Sequence, residues 1–572
     1  MKIKNLLSIL VLILMASIII TSCGKKNEGT TTGTMNKSET ELSEFIKNLE
    51  TKAVPLFKEM NVAYWNASIS GKKEDFDKNA DLQNKWAALY TNKEDFAKLK
   101  KIKESNEVKD DILKRELTVL YNQYIQNQLD TVKINAVNRM QNDIEQKFGN
   151  FRAETGGKKL TDNQVEEILV KSTDTKELKD VWTAQKKIGS VVSGDILKLV
   201  KMRNDNAKSL GFSNFHEMSL KLSEEEPAEV SKLLDELDNL TKEAFAKEKS
   251  NVDEYYMKRY NIKKEELMPW HYQNRFFQEA PKIYKVNYDD FYKGKELPNL
   301  MQTYYKGLNL SVDDIFKNCD LFEKPGKNQH AYEIDIDKVG DVRVLCNVVP
   351  NEKWMNTLLH EFGHANYSKN IDRKLPFFLR VEAHILTTEA IAMMFGRFST
   401  SAKWLKDMGV INEDEMKKVS DDGFKSLRLT ELVFSRWVQV MYRFEKIMYE
   451  NPDQDLNKLW WDLVEKYQLL KKPEGRNEPD WATKIHIATF PCYYHNYLLG
   501  DLFSSQLYYY ITKNIVKSED YKNQSWANNP EVGKYLIEKV FSPGSKYYWN
   551  DMIEKATGEK LTSKYFAEQF VK

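Results

Sequence analysis

Residues 351–364 read NEKWMNTLLHEFGH, and this stretch decides how the rest of the chain is interpreted. Asn351 can cap a helix that carries the remainder of the stretch. His360 and His364 stand four residues apart, so both imidazoles lie on one helix face and can reach the same metal ion. Glu361 then lies beside the metal, where a general base for a zinc-bound water belongs. The stretch therefore predicts a zinc-binding helix, with a pair of core histidines as the plain structural alternative.

A third protein ligand is expected further along the chain. Tyr367 and Asn370 stand where a continuation of the motif would need a glycine and a third histidine, so a downstream carboxylate is expected instead. Glu382 and Glu389 are the candidates. Glu389 lies within an apolar run, residues 386–395, where an unpaired carboxylate would be costly to bury. This cost favours Glu389 as the ligand.

The composition indicates a well-packed globular protein. Of 572 residues, 41% are hydrophobic, and the 86 Lys and Arg residues nearly balance the 85 Asp and Glu residues. Such mixed charge gives no support to nucleic-acid binding. Apolar residues recur at helical spacing from Glu39 onward, and only residues 330–349 alternate as strands do, with a turn at 339–341. We expect a mainly α catalytic domain, residues 39–572, with a small β-hairpin or sheet beside the zinc helix.

The N-terminus has the pattern of an export signal. Residues 1–22 combine two lysines with an apolar run, and they end at Ile20-Thr21-Ser22-Cys23, which resembles the lipobox of bacterial lipoproteins. In that family the cysteine is acylated after cleavage, so Cys23 is the expected lipidation site. Residues 23–38 then form the lipidated cysteine and a flexible tether. The expected location is extracytoplasmic, on a bacterial membrane; the alternatives are a plain secretory peptide and an uncleaved anchor in which the cysteine occurs by chance.

Two motifs together resemble a known peptidase family. HEFGH at 360–364 followed by TTEAIAMMFGR at 387–397 is similar to the angiotensin-converting-enzyme family of peptidyl-dipeptidases, with features of the thimet-oligopeptidase family. The resemblance implies a large, two-lobed helical body around a deep substrate cleft. It also implies one Zn²⁺ per chain, held by His360, His364 and Glu389.

A C-terminal segment, residues 484–497, resembles the substrate-binding segment of the same family. The resemblance assigns Tyr497 and His486 to the tetrahedral intermediate, and a phenol and an imidazole can both donate to an oxyanion. It assigns Lys484 and Tyr494 to the C-terminal carboxylate of the substrate, which an ammonium and a hydroxyl group can bind. These four residues are therefore expected to line the cleft.

Further positions follow from the resemblance. His330 and Ala331 resemble the pair that binds the substrate backbone, which suits the open edge of a strand. The glutamine that completes the family's carboxylate pocket is expected within residues 270–273. Met393 replaces an acidic residue after the third ligand, so support for a histidine ligand must come from elsewhere. Tyr493 is expected to be an ordinary buried aromatic residue.

Together these features predict an extracytoplasmic zinc peptidase that acts on short peptides and releases C-terminal dipeptides, with Glu361 as general base. One alternative is a thimet-type oligoendopeptidase, which would not distinguish free from amidated C-termini. Another is a non-catalytic peptide-binding lipoprotein, which would contain no zinc. The sequence leaves open the natural substrate, chloride dependence, oligomeric state and the pairing of Cys319, Cys346 and Cys492.

Overall fold

The computed structural model describes residues 35–284 and 286–571, and helices dominate this part of the chain. The prediction of a mainly α fold is confirmed. The signal peptide and Cys23 lie outside the described residues. The α-helices are α1 Lys37–Ser70, α2 Lys73–Ala88, α3 Lys93–Ser105, α4 Asp111–Gln126, α5 Thr131–Asn150, α6 Asp162–Lys171, α7 Thr175–Ser209, α8 Phe215–Leu222, α9 Pro227–Tyr260, α10 Asp289–Tyr292, α11 Leu297–Gly307, α12 Asp313–Phe316, α13 Glu352–Lys369, α14 Ile385–Gly396, α15 Ala402–Asp407, α16 Glu413–Glu450, α17 Leu456–Leu463, α18 His486–Thr489, α19 His495–Tyr510, α20 Pro530–Leu536, α21 Trp549–Thr557 and α22 Lys564–Phe570.

The first helix begins slightly earlier than the sequence suggested. Asn36 accepts a hydrogen bond from the Glu39 amide, and the Glu39 carboxylate accepts one from the Asn36 amide, both at 3.0 Å. This reciprocal capping box fixes the start of α1 at Lys37. The last two residues of the predicted tether are therefore helical.

The predicted hairpin lies directly before the helix that carries His360 and His364. Strands β3, Tyr332–Asp335, and β4, Val342–Leu345, pair antiparallel, with Asp335 opposite Val342. The connection covers residues 336–341, which is longer than the expected three-residue turn. The hairpin thus places the chain beside α13 before the motif begins.

A second hairpin was not predicted. Strands β1, Ala153–Thr155, and β2, Lys158–Leu160, also pair antiparallel. Gly156 and Gly157 form the turn between them with φ values of 56° and 74°. Two consecutive glycines adopt this left-handed turn at little cost, so the dipeptide was the available signal.

Buried side chains form one large core, a smaller one, and a third cluster of Trp65, Ile336 and Leu345 beside the β3–β4 hairpin. The large core runs from Ile144 to Phe570 and contains the apolar faces of α13, α14, α16 and α19. The smaller core lies under α1, α3 and α4 and includes Phe377 and Phe378 from the segment between α13 and α14. This segment therefore connects the N-terminal helices to the region of the motif.

The described residues contain three cysteines, and none of the three forms a disulfide bond with another described residue. Cys319, Cys346 and Cys492 are all free thiols. Within residues 35–571, Lys285 excepted, no helix combines the length and the apolar character needed to cross a bilayer.

Candidate active site

The start of α13 is set by local sequence, as predicted. The Asn351 side chain accepts a hydrogen bond from the Trp354 amide at 3.0 Å, and the helix begins at Glu352. Leu358 and Phe362 are completely buried and turn this helix toward the large core. His360 and His364 face the side of α14 that carries Thr388 and Glu389.

The structure brings His360, His364 and Glu389 together. Their ligand atoms all lie within 4.8 Å of one another. The two Nε2 atoms are 3.2 Å apart, and Glu389 Oε2 lies 3.7 Å from His360 Nε2 and 4.0 Å from His364 Nε2. Two imidazoles and one carboxylate form the donor set of many catalytic zinc sites, so these residues fit the ion.

The protonation of both histidines suits metal binding. Burial lowers the pKa of His360 to about 4, and burial together with His360 holds the pKa of His364 well below its usual value. Both rings are therefore neutral at pH 7. His364 Nδ1 lies 2.6 Å from Thr388 Oγ1, and this contact leaves Nε2 free to ligate.

Glu361 lies next to the ligands on the same helix and is buried. Burial raises its pKa to about 8, and the nearby Glu389 carboxylate adds to the shift. The backbone N–H of Glu333 on β3 faces the Glu361 carboxylate and opposes part of that rise. A cation bound by His360, His364 and Glu389 would also lower the pKa of Glu361. A lower pKa favours the ionised carboxylate, which is the form that a general base requires.

Two glycines allow α14 to lie between α13 and α19. A Cβ atom at Gly363 would lie 3.0 Å from the Cα atom of Ala392 on α14. A Cβ atom at Gly500 on α19 would lie 2.6 Å from Met393 Cε and 3.4 Å from Glu389 Cβ. The close packing of α13 and α14 at Gly363 thus brings Glu389 next to the two histidines. The close packing of α14 and α19 at Gly500 brings α19 next to Glu389.

Lys484 is buried beside a cleft whose lining does not include His360, His364 or Glu389. Its Nζ donates to Gln278 Oε1 at 2.7 Å and lies 5.3 Å from the ring centroids of Phe276 and Tyr494. Burial lowers the pKa of Lys484 to about 8, and Arg275 adds to the shift. The cleft that Lys484 and Gln278 line has a volume of about 660 Å³.

His486 and Tyr494 also lie beside Lys484. Their ring centroids are 5.2 Å apart, and His486 lines the same cleft. Burial lowers the pKa of His486 to about 4, and Lys484 adds to the shift, so the ring is neutral. Its Nδ1 has no hydrogen-bond partner among the described residues.

Tyr497 lies nearer the metal ligands. Its ring centroid is 5.6 Å from that of Tyr494 and 5.4 Å from that of Tyr493. Burial raises the pKa of Tyr497, and the Glu389 carboxylate adds to the effect, as it does for Tyr493. Tyr493 is only partly buried, with its ring against that of Tyr497, contrary to the expectation of an ordinary buried aromatic residue.

His330 and Ala331 directly precede β3. His330 is exposed, and Ala331 is partly buried against the large core. The next residues of this strand include Glu333, which faces Glu361. The structure thus places the pair on the strand that borders the site, and their contact with substrate stays a prediction.

A family model described as angiotensin-converting enzyme matches residues 36–570, nearly the whole described chain. The chain belongs to this family. It is accordingly a metallopeptidase, and the prediction of an enzyme is confirmed. The family resemblance seen in the two sequence motifs is confirmed.

Relatives from several organisms agree with this assignment. Angiotensin-converting enzyme of Haematobia irritans exigua is 24% identical over 465 residues, covering 72% of each chain. The enzyme of Theromyzon tessulatum is 25% identical over 283 residues, covering 48% of this chain and 46% of the relative. Thermostable carboxypeptidase 1 of Pyrococcus furiosus is 30% identical over 227 residues, covering 36% and 45%.

Two residues of this angiotensin-converting-enzyme-family site were missed from sequence. The glutamine beside Lys484 is Gln278, and the expected region, residues 270–273, was wrong: Gln273 instead donates to the Val170 carbonyl. Thr388 supports His364, a role for which the sequence offered no candidate. The only signal for Thr388 was its position directly before Glu389.

Proposed function

We propose that the chain is a zinc peptidase that cleaves short peptides near a free C-terminus and releases dipeptides. The His360, His364 and Glu389 donor set supports zinc as the ion, with the three residues as its ligands. When bound, zinc polarises a carbonyl group and increases the acidity of water.

The remaining chemistry belongs to the side chains around these ligands. Glu361 takes the proton from the attacking water and passes it to the leaving amine. Tyr497 and His486 donate hydrogen bonds to the oxygen that becomes negative, since both are neutral donors at pH 7. β3, which begins two residues after His330, provides an edge for the extended peptide backbone.

The observation that carries the proposal is that the Lys484 ammonium is buried and forms no ion pair with a described residue. Its hydrogen bond goes to the neutral amide of Gln278. Glu279 and Glu166 oppose the lowering of its pKa, but neither forms an ion pair with it in the part of the chain described here. A buried cation without a carboxylate partner is costly. The C-terminal carboxylate of a peptide supplies that partner.

The test compares matched peptides with free and amidated C-termini. Wild-type enzyme is expected to prefer the free acid by about 100-fold in kcat/KM, as for a charge-assisted contact of 2–3 kcal/mol. Lys484→Met, of similar length, is expected to lose this preference mainly through KM while it cleaves the amide at the wild-type rate. Equal cleavage of both peptides by wild-type enzyme would instead favour the oligoendopeptidase alternative.

Release of one residue rather than two is a second candidate, because a carboxypeptidase is among the relatives. Both activities need the Lys484 contact, so amidation cannot separate them. Mass spectrometry of the products from a free-acid pentapeptide separates the two activities. Dipeptides as the first product support the proposal, and single amino acids support a carboxypeptidase activity.

A further inference from the structure

Residues 223–225, between α8 and α9, form a short loop behind the active site, which we call the 223–225 loop. Glu225 of this loop lies 2.7 Å from His495, measured from Oε2 to Nε2. Both side chains are only 1% exposed. His495 is the first residue of α19 and stands between Tyr494 and Tyr497 in the chain. The loop therefore holds the end of the helix that carries Tyr497.

The same loop also contacts the start of α14. His384 caps this helix, because its Nδ1 accepts a hydrogen bond from the Leu386 amide at 3.1 Å. The other ring nitrogen, Nε2, donates to the Ser223 carbonyl at 2.8 Å. One imidazole thus joins the 223–225 loop to the helix that carries Glu389.

The 223–225 loop is itself fixed from the opposite side. Glu224 has φ of 61°, and its backbone carbonyl accepts a hydrogen bond from Trp549 Nε1 at 2.8 Å. Its carboxylate binds Arg115, with Nη2 donating to Oε2 at 2.7 Å. Arg115 Nε in turn donates to the Ser545 carbonyl at 2.8 Å. These contacts therefore fix the position of the 223–225 loop.

We propose that Glu225 and His495 are positioning residues, which hold the start of α19 so that the Tyr497 hydroxyl group faces the metal site. The inference rests on the proposed role of Tyr497. The physical reason is geometric: a catalytic donor displaced by about 1 Å can cost 100-fold in rate. A buried hydrogen bond between two side chains fixes the elements that carry them in one relative position, because either polar partner alone would be buried and unsatisfied.

The test is a double-mutant cycle between Glu225→Ala and Tyr497→Phe, measured in the full-length zinc enzyme. Each single variant is expected to lower kcat by about 10- to 100-fold, with zinc content unchanged and KM for free-acid peptides changed by no more than about twofold, since Lys484 is untouched. The double variant is expected to be no more than about threefold slower than Tyr497→Phe alone, because both changes remove one function.

Conservative variants distinguish positioning from a general loss of structure. Glu225→Gln retains an acceptor at the same reach and is expected to recover most of the wild-type kcat. Glu225→Asp withdraws the carboxylate, so kcat is expected to fall at least about fivefold even if Glu225→Ala cannot be purified. Asp238→Asn is the control: it disturbs a different ion pair, between the partly buried Asp238 and the buried Arg436, and is expected to keep the wild-type kcat.

Two outcomes separate the inference from the function on which it rests. Wild-type kcat in Tyr497→Phe would overturn the proposed role of that phenol. An impaired Tyr497→Phe together with wild-type kcat in Glu225→Ala and Glu225→Asp would overturn the positioning role alone, as would fully multiplicative effects in the double variant.

Discussion

Lys484 keeps a basic side chain in a place where burial disfavours its charge. Three aromatic rings, those of Phe276, Trp437 and Tyr494, lie 5.3 to 5.5 Å from its Nζ and offer only weak cation–π attraction. The Gln278 amide orients the ammonium but does not neutralise it. At the residue scale, the Lys484 ammonium suits an anionic group of the substrate, because no described carboxylate forms an ion pair with it.

The lowered pKa of Lys484 predicts a pH dependence of substrate preference. The ammonium is present below about pH 8 and is lost as the pH rises through that value. The ratio of kcat/KM for free-acid and amidated peptides is therefore expected to be constant below pH 7 and to fall above pH 8. Because Glu361 and the metal affect both substrates equally, the ratio isolates Lys484. A ratio that stays constant up to pH 10 would contradict the carboxylate contact.

At the scale of elements, the site depends on how closely α14 approaches its two neighbours. Gly363 on α13 and Gly500 on α19 lie where a larger side chain would meet the α14 backbone or Glu389 itself. Since His360 and His364 come from α13 and Glu389 from α14, a small separation of these two helices changes the ligand geometry directly. The spacing of helices, and not only the identity of ligands, determines metal affinity.

Gly363→Ala tests this dependence. The added methyl group would lie 3.0 Å from the Ala392 Cα atom. We expect about 1–3 kcal/mol of destabilisation from overpacking and weaker zinc binding, measured by chemical denaturation and by competition with a chelator. Gly194→Ala on α7 is the control, because nothing lies within 4 Å of its Cβ position. That variant is expected to be neutral or more stable by up to about 1 kcal/mol. Equal zinc affinity in both variants would refute the argument.

At the scale of the whole molecule, the active site collects groups from distant parts of the chain. α13 and α14 carry the proposed metal ligands, β3 borders Glu361, and the segment from Lys484 to Tyr497 carries the proposed substrate-binding groups. In the absence of a cation, burial raises the pKa of Glu389 to about 7, and Glu382 adds to the rise. A bound cation therefore stabilises the packed arrangement of α13 and α14 as well as the chemistry.

Removal of zinc is accordingly expected to lower thermal stability along with activity. An ion that binds only the folded state adds about 4 kcal/mol when its free concentration is 1,000 times its Kd. Scanning calorimetry with and without chelator should show a lower Tm in the chelated protein, restored by added zinc. Glu361→Gln is the matched variant: it should show the same zinc-dependent Tm with at least about 100-fold lower kcat. An unchanged Tm in the chelated wild type would argue against a metal joining the two helices.

Several features of the site could be predicted because they depend on local sequence. The spacing of His360 and His364 on a capped helix, with Glu361 between them, follows from helix geometry alone. Glu389 was predictable because an isolated carboxylate in an apolar helix requires a cation. The alternation of residues 330–349 likewise predicted the β3–β4 hairpin.

Other features were decided only by the tertiary structure. Gln278 contacts Lys484 across 206 residues of chain, and Glu225 contacts His495 across 270. No periodicity or spacing relates such pairs, because their meeting depends on how the helices pack and not on local backbone preference. The sequence by itself therefore determined the mainly α fold, the helix that carries His360 and His364, and the place of Glu361, the proposed base, between them. The packing of α14 between α13 and α19 determined which distant side chains complete and hold the site.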